Sequence, residues 1–155
     1  MTARSISVDA IDRVLLRALQ ADGRASWADL AAHVGLSAPA VRQRVQRLSD
    51  AGVLQIVAVT DPLALGLPVM ALVGVKVTGD TATVADAIGE LPGVIYVVST
   101  AGSFDVFAEV VCSDLEALRD LIDSGIRQVA NVTSAEPFVY YGIHAHRFSW
   151  DIPDE

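Results

Sequence analysis

The run Leu30-Ala31-Ala32-His33-Val34-Gly35-Leu36-Ser37-Ala38-Pro39-Ala40-Val41-Arg42-Gln43-Arg44-Val45-Gln46-Arg47-Leu48 reads as the end of one helix, a tight turn and a second helix that carries three arginines. Gly35 can take the positive φ that a sharp turn needs, Ser37 can cap the following helix through its hydroxyl, and Pro39 fits only a first helical turn, where no backbone donor is missed. Along the second helix Val41, Val45 and Leu48 share one stripe, whereas Arg42, Gln43, Gln46 and Arg47 fall on the opposite side at helical spacing. Such a helix packs with one face and reads a DNA groove with the other. The candidate DNA-contacting residues are therefore Ser37, Ala38, Pro39, Arg42, Gln43, Gln46 and Arg47. Ala38 and Pro39 at the tip offer only apolar contact, such as a thymine methyl; Arg42, Gln43 and Gln46 have the donors and acceptors for guanine or adenine. Arg44 flanks the apolar stripe, so it is placed equally well in an ion pair with Asp29 or Asp50 or on a phosphate.

Charge separates the chain into two parts. Residues 1–60 hold seven arginines and five aspartates, a balance of +2, and residues 61–155 hold Lys76 and three arginines against fourteen acids, a balance of −10. A polyanion responds to the local patch within a Debye length rather than to the whole-chain charge of −8. The front of the chain is the part that can approach phosphate.

The predicted organisation is a DNA-binding domain over 1–60, a linker over 61–67 and a second domain over 68–155. In the first, Ile11, Val14, Leu15, Ala18 and Leu19 predict a helix over 8–21, Ser26-Trp27-Ala28-Asp29 opens a second to Val34 with a capping box, and a third spans 38–50. The β-branched run Val53–Thr60 predicts a strand, the wing of a winged helix-turn-helix. Beyond it the chain predicts strand 69–78, helix 81–91, strands 94–101 and 104–111, helix 115–124 with a capping box from Ser113, and strand 135–143. The order β-α-β-β-α-β is that of a ferredoxin-like α+β domain. Both helices cover one sheet face in that arrangement. The other face, with strands as apolar as Val69–Val75 and Ile95–Val98, is an exposed patch that calls for a homodimer.

The single cysteine, Cys112, lies in an apolar run and reads as an inert core thiol. His144 and His146 have metal-ligand spacing, but no third ligand accompanies them, and no cofactor is expected. The opening residues lack a signal peptide's apolar core, and the apolar run 63–77 is broken by Gly66, Pro68 and Gly74 and is too short for a bilayer; a cytoplasmic protein without a membrane partner is expected.

The opening helix Val8–Arg24, the segment Leu30–Ser37, then Val41–Leu48 and Ala51-Gly52-Val53-Leu54, followed by Gly102-Ser103-Phe104-Asp105, resemble the Lrp/AsnC family of prokaryotic feast/famine regulators over nearly the whole chain. The resemblance implies a transcription factor whose second domain forms dimers and octamers and binds an amino acid effector; a symmetric dimer would present two recognition helices to double-stranded DNA at a palindromic operator. Phe104 stands where the family has Tyr, and the wing lacks the family's Gly-aromatic pair. Gly102, Ser103, Phe104 and Asp105 alone read as a hairpin turn. By the resemblance they become effector residues, with Asp105 holding an ammonium and the backbone around Gly102 and Ser103 a carboxylate; Asn131, Thr133 and Ser134 are candidates for the facing wall. Two alternatives remain. A sirohaem decarboxylase-like enzyme shares the two-domain order but carries a Tyr-Asn-Leu-Trp-like strand in place of Phe104-Asp105-Val106-Phe107, and a DNA-compacting architectural protein differs in having no effector. No Ser-His-Asp, paired-carboxylate or phosphate-loop arrangement is visible, which favours a regulator over an enzyme.

Overall fold

The computed structural model describes residues 6–145 and 150–153. It divides into two compact units, Met1–Val59 with Ala145–Glu155, and Thr60–His144.

The first unit contains three helices, α1 (Ala10–Ala21), α2 (Trp27–Val34) and α3 (Ala38–Asp50). Each begins at a side-chain cap. Asp9 accepts from the Asp12 N–H at 2.8 Å while the Asp12 carboxylate accepts from the Asp9 N–H at 3.1 Å, a reciprocal box that satisfies two orphan donors of α1. Ser26 Oγ accepts from the Asp29 N–H at 3.1 Å and donates to Asp29 Oδ2 at 2.7 Å, so Asp29 meets the serine hydroxyl instead of the backbone donor that a full capping box uses. Gly35 closes α2 at φ 67°, the left-handed geometry its position requires. Leu15, Leu19, Leu30, Ala31, Val41 and Val45 form the core of this unit, with Leu48 also buried. Residues of the tail pack here too: Arg13 and Arg17 of α1 donate to the carbonyls of Pro153 and Ile152, both at 2.8 Å.

The strand predicted over Val53–Thr60 does not form. Gly52, at φ 73°, turns the chain, the N–H groups of Val53 and Leu54 return to the Leu48 carbonyl, and Leu54 packs on the helical core. High β-propensity makes a strand only where a neighbouring strand completes the ladder, and none pairs with this run. The first unit is thus a helix-turn-helix without a wing strand among its described residues.

The second unit is a four-stranded antiparallel sheet in the order β2-β3-β1-β4, with β1 Val69–Val77, β2 Val94–Ser99, β3 Val106–Cys112 and β4 Val132–Val139. Helices α4 (Thr81–Gly89) and α5 (Leu115–Asp120) complete the βαββαβ order. Ala71, Val73 and Val75 of β1 and Val106, Ala108 and Val110 of β3 are fully buried with Val84 and Ile88 of α4 and with Leu118, Ile122 and Ile126. The predicted helix over 115–124 is shorter: after Asp120 it widens into a π turn, Leu121–Gly125, and then tightens into a 3-10 turn, Ile126–Gln128, which keeps Ile122 and Ile126 on the core. Its cap is Asp114, which accepts from the Ala117 N–H at 2.8 Å, one residue after the predicted Ser113. The last strand begins at Val132, earlier than the predicted Ala135, because Asn131 adopts φ 71° and ends the preceding turn.

Candidate nucleic-acid interface and effector turn

Ser37 caps α3, its hydroxyl oxygen 3.4 Å from the Ala40 N–H, and Pro39 sits in the first turn. Val41, Val45 and Leu48 are buried as their spacing requires, which turns Pro39, Arg42, Gln43, Gln46 and Arg47 outward. A concavity of about 840 Å³ lies along this side of α3, lined by Ala38, Pro39, Arg42, Gln43, Gln46 and Arg47 and by Trp27 of α2.

The outward residues are not equivalent. Asp12 of α1 is 0% exposed and takes both Arg44 Nη1, at 2.9 Å, and Arg47 Nη2. Arg44 also reaches Asp9 at 2.6 Å, and Arg47 donates to the Ser7 carbonyl at 3.2 Å. Arg44 therefore pairs with Asp9 and Asp12, not with Asp29 or Asp50. Arg47, expected to stand free opposite the core stripe, is tied to α1, because a guanidinium at the helix edge reaches over the stripe to the buried carboxylate. The Asp12 N–H, followed by the Arg44 guanidinium, holds the Asp9 carboxyl below its usual range. Gln46 Nε2 donates to Asp50 Oδ1 at 2.8 Å. Helical periodicity places these side chains on a face but does not show what lies opposite on α1; the acid three residues after Asp9 was the available signal.

Arg42 is exposed, and among the described residues no acid pairs with it. The side chains left uncommitted on this face are accordingly those of the first half of α3, Ala38, Pro39, Arg42 and Gln43, while Gln46 and Arg47 are engaged within the unit.

In the second unit the 102–105 turn is occupied by its own side chains. Asp105 Oδ2 accepts from the Val77 N–H at 2.8 Å, and the Asp105 N–H donates to the Val75 carbonyl at 2.9 Å, which fixes the turn to the end of β1. The Phe104 ring lies over Gly74, where an added Cβ would come within 2.8 Å of it, and meets Phe107 and Phe138 edge-on at centroid distances of 5.4 and 5.9 Å. This backbone donor to Asp105, the residue expected from the resemblance to hold an ammonium, is revealed only by the sheet register. Gly102 and Ser103 are exposed at the tip. Thr133 Oγ1 donates to the Lys76 carbonyl at 3.1 Å, the Asn131 carbonyl accepts from the Thr78 N–H at 2.9 Å, and Ser134 is exposed opposite Lys76. The sheet face away from the helices carries Leu72, Phe107, Glu109, Phe138 and Tyr140; the Tyr140 hydroxyl donates to Glu109 Oε1 at 3.0 Å.

Among the described residues no three histidine, cysteine, aspartate or glutamate side chains converge on a possible metal position, and no helix is long and apolar enough to cross a membrane. His146, the partner of His144 in the metal spacing, lies outside the described residues.

The AsnC-type helix-turn-helix domain matches residues 8–49, and the Lrp/AsnC ligand binding domain matches residues 70–147. The leucine response regulatory protein of Mycobacterium tuberculosis is 32% identical, with 94% of this chain and 99% of that one covered and a TM-score of 0.85. The feast or famine regulatory protein of M. tuberculosis complexed with L-methionine is also 32% identical, over 95% of this chain and 100% of that one, with a TM-score of 0.83. The HTH-type transcriptional regulator FL11 of Pyrococcus horikoshii is 29% identical over 120 residues, 76% of this chain and 80% of its own. With both domain types in order on one chain and the fold shared throughout, this protein belongs to the Lrp/AsnC family of transcriptional regulators.

Proposed function

We propose that the protein binds a palindromic duplex as a symmetric homodimer, with Arg42 and Gln43 contacting base edges or phosphates, Ala38 and Pro39 packing on the groove wall, and Ser37 serving the helix cap. The observation that carries this is the position of Arg42: it stands outward on α3 without an acid partner, while the neighbouring Arg44 and Arg47 are held by Asp12. An unneutralised guanidinium on a helix that buries its other face is the group a phosphate or guanine edge would take. The apolar sheet face of the second unit is the surface through which copies would join, and a two-fold dimer would present two α3 helices to half-sites about one helical turn, or a multiple, apart. Higher assemblies, up to the octamer, would build on the same domain.

For the second unit an amino acid or a close relative is the proposed effector class, supported by the related regulator complexed with L-methionine. Gly102, Ser103, Asn131, Thr133 and Ser134 are the polar positions offered to it; Phe104 and Asp105 shape the turn from behind. Catalysis has no role here, and the place of action is the cytoplasm, where the DNA is. Selection of bound fragments from genomic DNA by the full chain, with and without each of the amino acids, tests this directly. Enrichment of a shared palindrome that shifts in occupancy with one amino acid is expected. Enrichment without a common sequence, unaltered by any amino acid, would favour a DNA-compacting protein.

A further inference from the structure

Trp27 has no place in the core of the first unit. It occupies the first helical position of α2, is 40% exposed, and does not belong to the apolar cluster formed by Leu15, Leu19, Leu30, Ala31, Val41 and Val45. Its indole N–H has no acceptor among the described residues. A large aromatic ring left in water is unfavourable unless a partner covers it, and an indole offers a flat apolar face with one donor at its edge.

Its surroundings restrict what that partner is. Trp27 borders the same concavity as Ala38, Pro39, Arg42 and Gln43, the free half of α3. Arg42, Arg47 and Asp50 line it as well, with Gln46 Nε2 donating to the Asp50 carboxylate, so the charge facing the concavity is positive on balance and suits a polyanion. In a helix-turn-helix the helix before the reading helix crosses the nucleic-acid backbone, and here that helix is α2, with Trp27 in its first turn.

We propose that Trp27 is a DNA-backbone contact, its indole N–H donating to a phosphate oxygen and its ring face covering the adjacent deoxyribose. The proposal rests on the assignment of α3 as the reading helix and extends it from base edges to the flank of the groove. Such a contact positions the protein without sequence information, so its loss weakens selected and unselected duplexes alike.

The full chain with Trp150→Phe retains Trp27 as its single tryptophan. Trp150 is 75% exposed and borders none of the reading surface, so the substitution leaves DNA binding intact. Two duplexes serve as probes, each of about three helical turns: one recovered by selection from a random-sequence library and the unselected library itself. Acrylamide quenching of Trp27 should fall several-fold when either duplex saturates the protein. Trp27→Ala should weaken both duplexes by about tenfold, the loss expected for one donor to an ionised acceptor. Unchanged quenching at saturation overturns the proposal, and because that measurement uses the intact ring it holds even where Trp27→Ala fails to fold. Unchanged quenching together with weakened binding by Arg42→Ala removes Trp27 alone. If Arg42→Ala and Trp27→Ala both bind as the parent does, the assignment of α3 falls as well.

Discussion

Helix α3 and the 102–105 turn both carry charged side chains beside an apolar core, and the fold uses those charges differently. On α3 the three arginines divide: Arg44 and Arg47 converge on the buried Asp12, and Arg42 remains outward without an acid. In the turn the one charge, Asp105, is taken up by the Val77 N–H, and the neighbouring Phe104 is pressed onto Gly74. Charge next to an apolar run is therefore a weak indicator of a ligand. What separates the two cases is whether a donor or acceptor within the fold already answers the charge.

The largest effect that would sharpen this contrast lies in α3. Arg44→Ala combined with Arg47→Ala leaves Asp12 buried without a guanidinium, and breaking a buried pair in this way costs about 3–5 kcal/mol. Chemical denaturation of the full chain should show the loss; a change under about 1 kcal/mol would mean that the arginines do not anchor α3 to α1.

Next in size is Gly74→Ala. The added methyl meets the Phe104 ring, and forcing a packed aromatic aside should cost about 1–3 kcal/mol. Adding Phe104→Ala should relieve the clash, so the two substitutions together should cost less than the sum of their separate effects. Strict additivity would show that the ring and the glycine do not depend on one another.

Asp105→Ala should cost about 1 kcal/mol through the orphaned Val77 N–H, equally with and without amino acids present. Melting against the twenty amino acids distinguishes this from a ligand role. Unaltered stability in the free protein, with a lost ligand-induced shift, would make Asp105 an ammonium-binding group after all.

The smallest effect concerns pH. Burial, then the hydrogen bond to Glu109, pushes the Tyr140 hydroxyl up to about 12. An unfolded tyrosine releases its proton near pH 10, so between about 10 and 12 the folded chain binds more protons than the unfolded one, and stability falls as pH rises. Tyr140→Phe should flatten that alkaline slope in a denaturation series, and an unchanged slope would show that Tyr140 does not cause it.

Much of this was legible in the sequence because it depends on periodicity and on local capping. The stripe Val41, Val45 and Leu48, the turn at Gly35 and the βαββαβ order all follow from patterns within a few residues of one another. The wing strand at 53–60 was misread because strand propensity says nothing about whether a partner strand exists. The partners of Arg44, Arg47 and Asp105 are not legible for a related reason: the two arginines meet an acid more than thirty residues away and Asp105 a backbone donor 28 residues away, separations that no local pattern encodes. Trp27 is legible in the sequence only as part of a capping segment, since a lone aromatic in an amphipathic helix reads as core until its exposure is known.

Binding of the full chain to a selected duplex across a salt series tests most directly the proposed division of labour, in which Arg42 reads DNA while Arg47 holds the helix. Arg42→Ala should melt as the parent does yet bind more weakly, by about 1–3 kcal/mol if the contact is to a base edge, or with a salt slope flattened by about one if it is to a phosphate. Arg47→Ala should instead lower the melting temperature. If Arg42→Ala binds as tightly as the parent at every salt concentration, the free half of α3 is not the reading surface.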